Sequence, residues 1–248
     1  MNKTEIEKLK KAGEICKKAK EYAKDHIKHG MILREIAEKI EDKIVELGGR
    51  PAFPVNLSIN EIAAHSTPSF NDESKAHGLL KVDVGVHIEG FIADSAFSID
   101  LENSDENKRL ILAAEEGLKK GVEHFKKGEF FREVGKKIEN EVKKEGFVVV
   151  HNLTGHSIEK YKVHAGLSVP NFDNFSDMKI EDGIYAIEPF TTNGLGAVRD
   201  GRTSGIYSLE KDGSVRDNFA REVLGFIMEE YQTLPFCSRW IYNKFGSR

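Results

Sequence analysis

Arg34-Glu-Ile-Ala-Glu-Lys-Ile-Glu-Asp-Lys-Ile44 and Arg132-Glu-Val-Gly-Lys-Lys-Ile-Glu-Asn-Glu-Val142 carry one pattern twice, 98 residues apart. In each, aliphatic residues recur at three- and four-residue steps, so each reads as an amphipathic helix. Gly48 and Gly146 keep the offset and stand where a helix end favours a left-handed residue. Asn56-Leu-Ser58 matches Asn152-Leu-Thr154 at an offset of 96, and His65-Ser66 faces His164-Ala165 at 99. Two amphipathic helices can resemble each other through composition alone. The shared order of helix, glycine, strand, Asn-Leu-Ser/Thr and histidine favours a duplication. It predicts an α+β fold of two pseudo-equivalent halves, about residues 4–100 and 105–190. Each half reads helix–helix–strands, and the two join into one sheet with helices on one side.

Working outward, residues 4–28 predict a first helix, with Ile6, Leu9, Ala12, Ile15, Cys16, Ala19, Tyr22 and Ala23 on its apolar stripe. The helical pattern over 33–47 stops at Gly48-Gly49, and Pro51 and Pro54 bracket an extended entry into residues 55–59. Residues 79–99 carry the clearest strand signal, because Val82, Val84, Val86 and Ile88 alternate before a Glu89-Gly90 turn. Further helices are expected at 106–126, 131–145 and 217–230, and a short apolar strand at 147–150.

The composition excludes several classes. The 248 residues hold 37 Lys and Arg against 41 Asp and Glu, a formal net charge of −4, which argues against nucleic acid or an anionic membrane as the partner. The lysine runs 8–11 and 17–20 read as solvated helix faces. No apolar run approaches the ~20 residues that span a bilayer. The first residues lack the apolar core of a signal peptide, so the expected location is cytoplasmic. Cys16 and Cys237 are far apart with no metal-binding spacing, so neither a disulfide framework nor a structural zinc site is expected.

Chemistry concentrates in four places. Asp83 interrupts the apolar strand Leu80-Lys-Val-Asp-Val-Gly-Val86, and Asp94 lies on the return strand. A two-residue Glu89-Gly90 turn sets Gly85 opposite Asp94 and puts Asp83 diagonally across on the same face, at a spacing of roughly 7–8 Å. Two carboxylates can then converge where Gly85 leaves room, and a divalent cation would relieve their repulsion. The alternative is a pair of solvated or Lys/Arg-paired aspartates, and a one-residue slip would send Asp94 to the other face. His156 follows a glycine in Asn152-Leu-Thr-Gly-His156, while His65 and His164 stand near strand ends; any one of the three could be structural. Glu188 in Ala186-Ile-Glu-Pro-Phe190 is a carboxylate in apolar surroundings, just before a proline that stops strand pairing. Asp83, Asp94, His156 and Glu188 together offer oxygen and imidazole donors suited to Mn, Fe, Co or Zn.

Four strings in order resemble the type 2 methionine aminopeptidases. They are Pro51-Ala-Phe-Pro-Val-Asn-Leu-Ser-Ile-Asn-Glu-Ile-Ala-Ala-His65, Lys81-Val-Asp-Val-Gly-Val-His-Ile-Glu-Gly-Phe-Ile-Ala-Asp94, Asn152-Leu-Thr-Gly-His-Ser-Ile-Glu-Lys-Tyr-Lys-Val-His164 and Ala186-Ile-Glu-Pro-Phe190. The resemblance runs from the first helix to about Trp240 and includes Thr233-Leu-Pro-Phe236. It implies the pita-bread fold, with a curved, antiparallel-rich sheet, and a dinuclear site for two divalent metal ions. In that site Asp83 chelates one ion, Asp94 bridges both, and His156 and Glu188 bind the second. Glu188 would also shuttle the proton, His65 and His164 would position the substrate and stabilise the tetrahedral intermediate, and Phe53 and Val163 would line the methionine pocket. The implied activity removes N-terminal methionine from nascent proteins by a metal-activated hydroxide.

The sequence departs from the family in one respect that touches a ligand. The family continues into a final strand whose glutamate bridges the two metals, and no Gln-x-Glu-His-Thr string occurs here. The reading is therefore one catalytic domain over 1–248, with 191–248 the start of the type 2 helical insert and the C-terminal strand absent. The missing strand and glutamate would come from a second chain, or the sequence is truncated. A non-catalytic pita-bread protein that binds a partner is the other class of reading, and a proline-type aminopeptidase shares the same fold and metals.

Overall fold

The structure is a computed structural model in which residues 1–211, 213 and 215–246 are described. Asp212, Ser214, Ser247 and Arg248, all inside the expected 1–248 domain, lie outside the described residues. In chain order the elements are α1 (Lys3–His26), α2 (Leu33–Glu46), β1 (Arg50–Pro51), β2 (Asn56–Ile59), β3 (Leu79–Ile88), β4 (Phe91–Asp100), α3 (Asp105–His124), α4 (Phe131–Lys144), β5 (Val148–Val149), β6 (Gly155–Ile158), β7 (Ser168–Val169), β8 (Ile184–Ala186), β9 (Thr191–Thr192), β10 (Ile206–Tyr207), α5 (Asn218–Glu230), β11 (Phe236–Cys237) and α6 (Ser238–Phe245). The expected helices occur with ends within two residues of their predicted limits. No described helix is long and apolar enough to cross a membrane.

The internal repeat is visible in the elements. α2 and α4 are both 14 residues long and start 98 residues apart, and both are followed by a glycine at positive φ, +84° at Gly48 and +83° at Gly146. The described strands form four antiparallel ladders, β1–β3–β2 with β4 on β3, β7–β6–β8, β5–β9 and β10–β11, where one continuous sheet was expected. Most of the later strands are two or three residues long.

The chain divides into two compact units. The first holds residues 1–101, 160–163 and the described part of 202–248; the second holds 102–159 and 164–201. In the first unit, α1 and α2 cover one face of the β1–β3–β2 sheet. Val82, Val84 and Val86 point at the helices and are completely buried, together with Ala12, Ala19, Ile36, Ile40 and Ile44. Burying such side chains supplies about 25 cal/mol per Å² of apolar surface removed from water. In the second unit, α3 lies along α4, with Leu110, Ala113, Gly117 and Gly121 buried on one side of α3.

Two buried polar groups depart from the simple pattern. Glu41, on α2, is nearly inaccessible, accepts two hydrogen bonds from Arg239 at 2.8 Å each, and also accepts from Trp240 Nε1 and from the Val55 amide. Arg239 is 1% exposed, and its Nε donates to the Pro68 carbonyl. The network ties α6 to α2, and removing either charge would leave the other buried and unpaired. Lys20 departs from the solvated-face expectation as well: it is half-buried and its Nζ donates to Ser95 Oγ, which holds α1 against β4.

His87 closes the hairpin between β3 and β4. Its Nδ1 accepts from the Gly90 amide at 3.1 Å, and burial, with Arg50 adding to it, pushes the imidazole down to about 4. The unfolded chain takes up that proton near pH 6.5, whereas the folded protein takes it up only near pH 4. Stability is therefore complete above pH 6.5 and falls as pH drops from 6.5 to 4, by roughly 3 kcal/mol. Urea unfolding at pH 7, 6 and 5 should show this slope in the native protein, and a shallower one in His87→Gln.

Candidate metal centre

The hairpin places the two aspartates as the turn predicts. Ile88 pairs with Phe91, Gly85 with Asp94 and Asp83 with Ala96, so Asp83 and Asp94 share the face turned away from α1 and α2. Asn56 of β2 pairs with Asp83 and lies on that face as well. The space over Gly85, expected to be open, is filled. A Cβ at Gly85 would lie 2.2 Å from Phe53 Cε1, so the glycine admits the Phe53 ring beside the carboxylates. Phe53 is brought there by β1 and by the bond from the Ala52 amide to the Gly85 carbonyl at 2.9 Å.

The field of the aspartates reaches the helix side of the sheet. Cys16, whose Sγ lies 3.3 Å from the Val84 carbonyl, has its thiol pushed up to about 12 by burial, with Asp94 and Asp83 adding to the rise. Desolvation lowers the Lys20 ammonium from its usual value, and the negative charge of Asp83 opposes that. Cys16 and Cys237 are both buried free thiols.

The remaining candidates of this unit lie in loops. His65 follows β2 with a φ of +57° and is exposed. Val163 is 5% exposed in the short segment 160–163, which is anchored where the Tyr161 amide donates to the Gly90 carbonyl at 2.9 Å. A cleft of about 280 Å³ between α2 and α6, bordered by His87, Tyr231 and Trp240, contains none of the predicted site residues.

In the second unit, β6 delivers His156 and the chain beyond β8 delivers Glu188. His156 pairs with Ala186, and its Nε2 lies 2.9 Å from Glu188 Oε1. The His156 Nδ1 faces the Ser157 carbonyl at 3.3 Å, an acceptor that favours a proton on Nδ1 and puts the ring's lone pair on Nε2. An Nε2 lone pair against a carboxylate requires positive charge between them, either a proton or a metal ion. The His164 ring stands edge-on to His156 with centroids 4.3 Å apart. Gly155 allows the approach of β8, because a Cβ there would lie 2.2 Å from the Ala186 carbonyl oxygen and 3.1 Å from the Glu188 nitrogen.

The structure thus sets Asp83 and Asp94 beside Phe53 in one unit, and His156, His164 and Glu188 together in the other. Within the second unit, His156 and Glu188 make a pair of adjacent donors able to share a metal ion. Sequence reasoning missed Asn171, a wholly buried residue that donates to the Leu153 and Glu188 carbonyls. In sequence, Pro170-Asn171 gives only a turn signal.

The sequence profile of metallopeptidase family M24 matches residues 7–218. The methionine aminopeptidase of Pyrococcus abyssi is 46% identical over 247 residues, covering 97% of this chain and 82% of that protein. Among solved structures, a thermophilic Arx1 superposes with a TM-score of 0.80 at 14% identity, over 97% of this chain and 77% of its own. The methionine aminopeptidase of Thermotoga maritima superposes with a TM-score of 0.72 at 24% identity, over 85% of each chain. These two likenesses establish the pita-bread α+β fold.

The two close approaches differ in what an added methyl would strike, a ring at Gly85 and backbone at Gly155. Overpacking of this kind costs typically 1–3 kcal/mol, and more where the neighbour cannot move. Urea midpoints should fall in the order native, Gly85→Ala, Gly155→Ala; equal midpoints would contradict the contacts.

Proposed function

The chain belongs to metallopeptidase family M24, and on that footing we propose that it is a type 2 methionine aminopeptidase, a hydrolase that removes N-terminal methionine from newly made proteins in the cytoplasm. The observation that carries the reading is 46% identity to a methionine aminopeptidase along nearly the whole chain. The two helix–helix–strand halves would form one catalytic domain.

The residues present fit the divalent metals that the family implies. Asp83, Asp94 and Glu188 offer carboxylate oxygens and His156 an imidazole nitrogen, a mixture that suits Mn, Fe, Co or Zn. The close approach of His156 to Glu188 also calls for positive charge between them. Asp83 would hold one ion, Asp94 would bridge two, and His156 and Glu188 would hold the second. Such ions, when bound, acidify water and polarise the scissile carbonyl.

The protein's own groups would do the rest. Glu188 takes a proton as the water oxygen bonds to the first peptide carbonyl carbon, and gives a proton to the departing amine nitrogen as the C–N bond breaks. His164, edge-on to His156, and His65 would hold the peptide and the developing oxyanion. Phe53 and Val163, both buried, would form the apolar wall against the flexible thioether of methionine.

Stripping the purified chain of metal, titrating in Mn or Co, and measuring methionine release from Met-Ala-Ser against alanine release from Ala-Ala-Ser tests the reading. Metal-dependent release of methionine in preference to alanine is expected, with kcat lowered about 10²–10⁴-fold in Glu188→Gln. Equal release of both residues, or silence with metal present, would overturn the proposal.

A further inference from the structure

We propose that Asn171 is a positioning residue that sets the spacing of the His156–Glu188 pair; this rests on reading that pair as metal ligands. The need for such a residue follows from where the ladder stops. β8 ends at Ala186, two residues before Glu188, so the Glu188 carbonyl lies beyond the paired part of β8. On the facing strand, the Leu153 carbonyl precedes the start of β6 at Gly155. Backbone pairing holds the chain on both sides, His156 with Ala186 and the Val150 amide with the Phe190 carbonyl, and the Leu153 and Glu188 carbonyls lie in the gap between those pairs, which leaves the gap itself to be restrained from outside the strands.

Asn171 supplies that restraint. It lies two residues past β7, which itself pairs with β6 at Gly155 and His156. Its Nδ2 donates to the Leu153 carbonyl at 3.1 Å and to the Glu188 carbonyl at 2.7 Å. One amide group carries two hydrogens, and each carbonyl takes one. The reverse orientation is excluded, since it would point an oxygen at two acceptors.

The residue is wholly buried, and its Oδ1 has no hydrogen-bond partner among the described residues. An amide kept in the interior with one end unsatisfied is unfavourable by itself. Its donors are spent entirely on the two backbone segments that carry His156 and Glu188. The bond to the Glu188 carbonyl fixes that residue's Cα, from which Oε1 reaches His156 Nε2 at 2.9 Å. Groups behind a ligand characteristically tune metal affinity by 10–100-fold.

The test compares Asn171→Leu, which keeps the volume and loses both donors, with Asn171→Ser, which keeps one donor. Val142→Ala serves as a control, since Val142 is buried in α4 of the same unit. Two quantities are measured: the His156 Nε2–Glu188 Oε1 separation in metal-free crystals, and Mn affinity by calorimetry with no peptide present. Asn171→Leu should open the separation beyond hydrogen-bond range and weaken Mn binding about tenfold or more. Asn171→Ser should fall between it and the native protein, and decides the matter if the leucine variant does not fold. Val142→Ala should lower the melting temperature and leave both quantities unchanged. An unchanged separation in the Asn171 variants, or an equal loss of Mn affinity in Val142→Ala, would overturn the proposal. If the native protein binds no Mn, the ligand reading fails, and the metal-free separation still decides whether Asn171 sets the pair.

Discussion

The structure of the first unit depends on the two-residue period of β3. Successive side chains of a strand point to opposite faces, and α1 and α2 occupy one of those faces with Val82, Val84 and Val86 beneath them. Asp83 and Gly85 have no choice but the other face. The two-residue turn at Glu89-Gly90 then carries the constraint to β4 and sets Asp94 opposite Gly85. A slip of one residue would bury Asp94 against the helices and expose the apolar residues of β4, so the core enforces the register of the carboxylates. Burial of the valines and placement of the aspartates are one event.

The second unit solves a similar problem with less regular structure. Its strands are short, and the side chains of interest stand at or beyond their ends. Close approach of backbones at Gly155 and side-chain bonds from Asn171 replace the long ladder that serves the aspartates. The repeat in sequence is therefore preserved in the helices, where α2 and α4 correspond residue for residue in length and ending, and is relaxed in the strands.

The parts legible in sequence are those set by local periodicity. Helix positions, the hairpin register and the shared face of Asp83 and Asp94 all follow from steps of 3.6 or 2 residues and from turn chemistry. The illegible parts come from contacts between distant residues. Nothing near Glu41 in sequence announces that it meets Arg239, 198 positions away. The Phe53 ring over Gly85 could not be foreseen, because the gap left by a glycine does not say what fills it. Lys20 looks like any solvated lysine until β4 is laid against α1. Asn171 looks like a turn residue. The four candidate donors stand out in sequence for another reason: carboxylates and a histidine interrupt apolar or glycine-bounded strands, where burying polarity is costly.

The proposed function stands on His156 and Glu188, side by side in the second unit, sharing a divalent ion. Crystals soaked in Mn and measured on the high-energy side of the manganese absorption edge locate that ion without any assumption about turnover. An anomalous peak at roughly 2 Å from an oxygen of Glu188 and from His156 Nε2 is the predicted result. A map with no peak there, or with manganese bound only to other carboxylates, would contradict it.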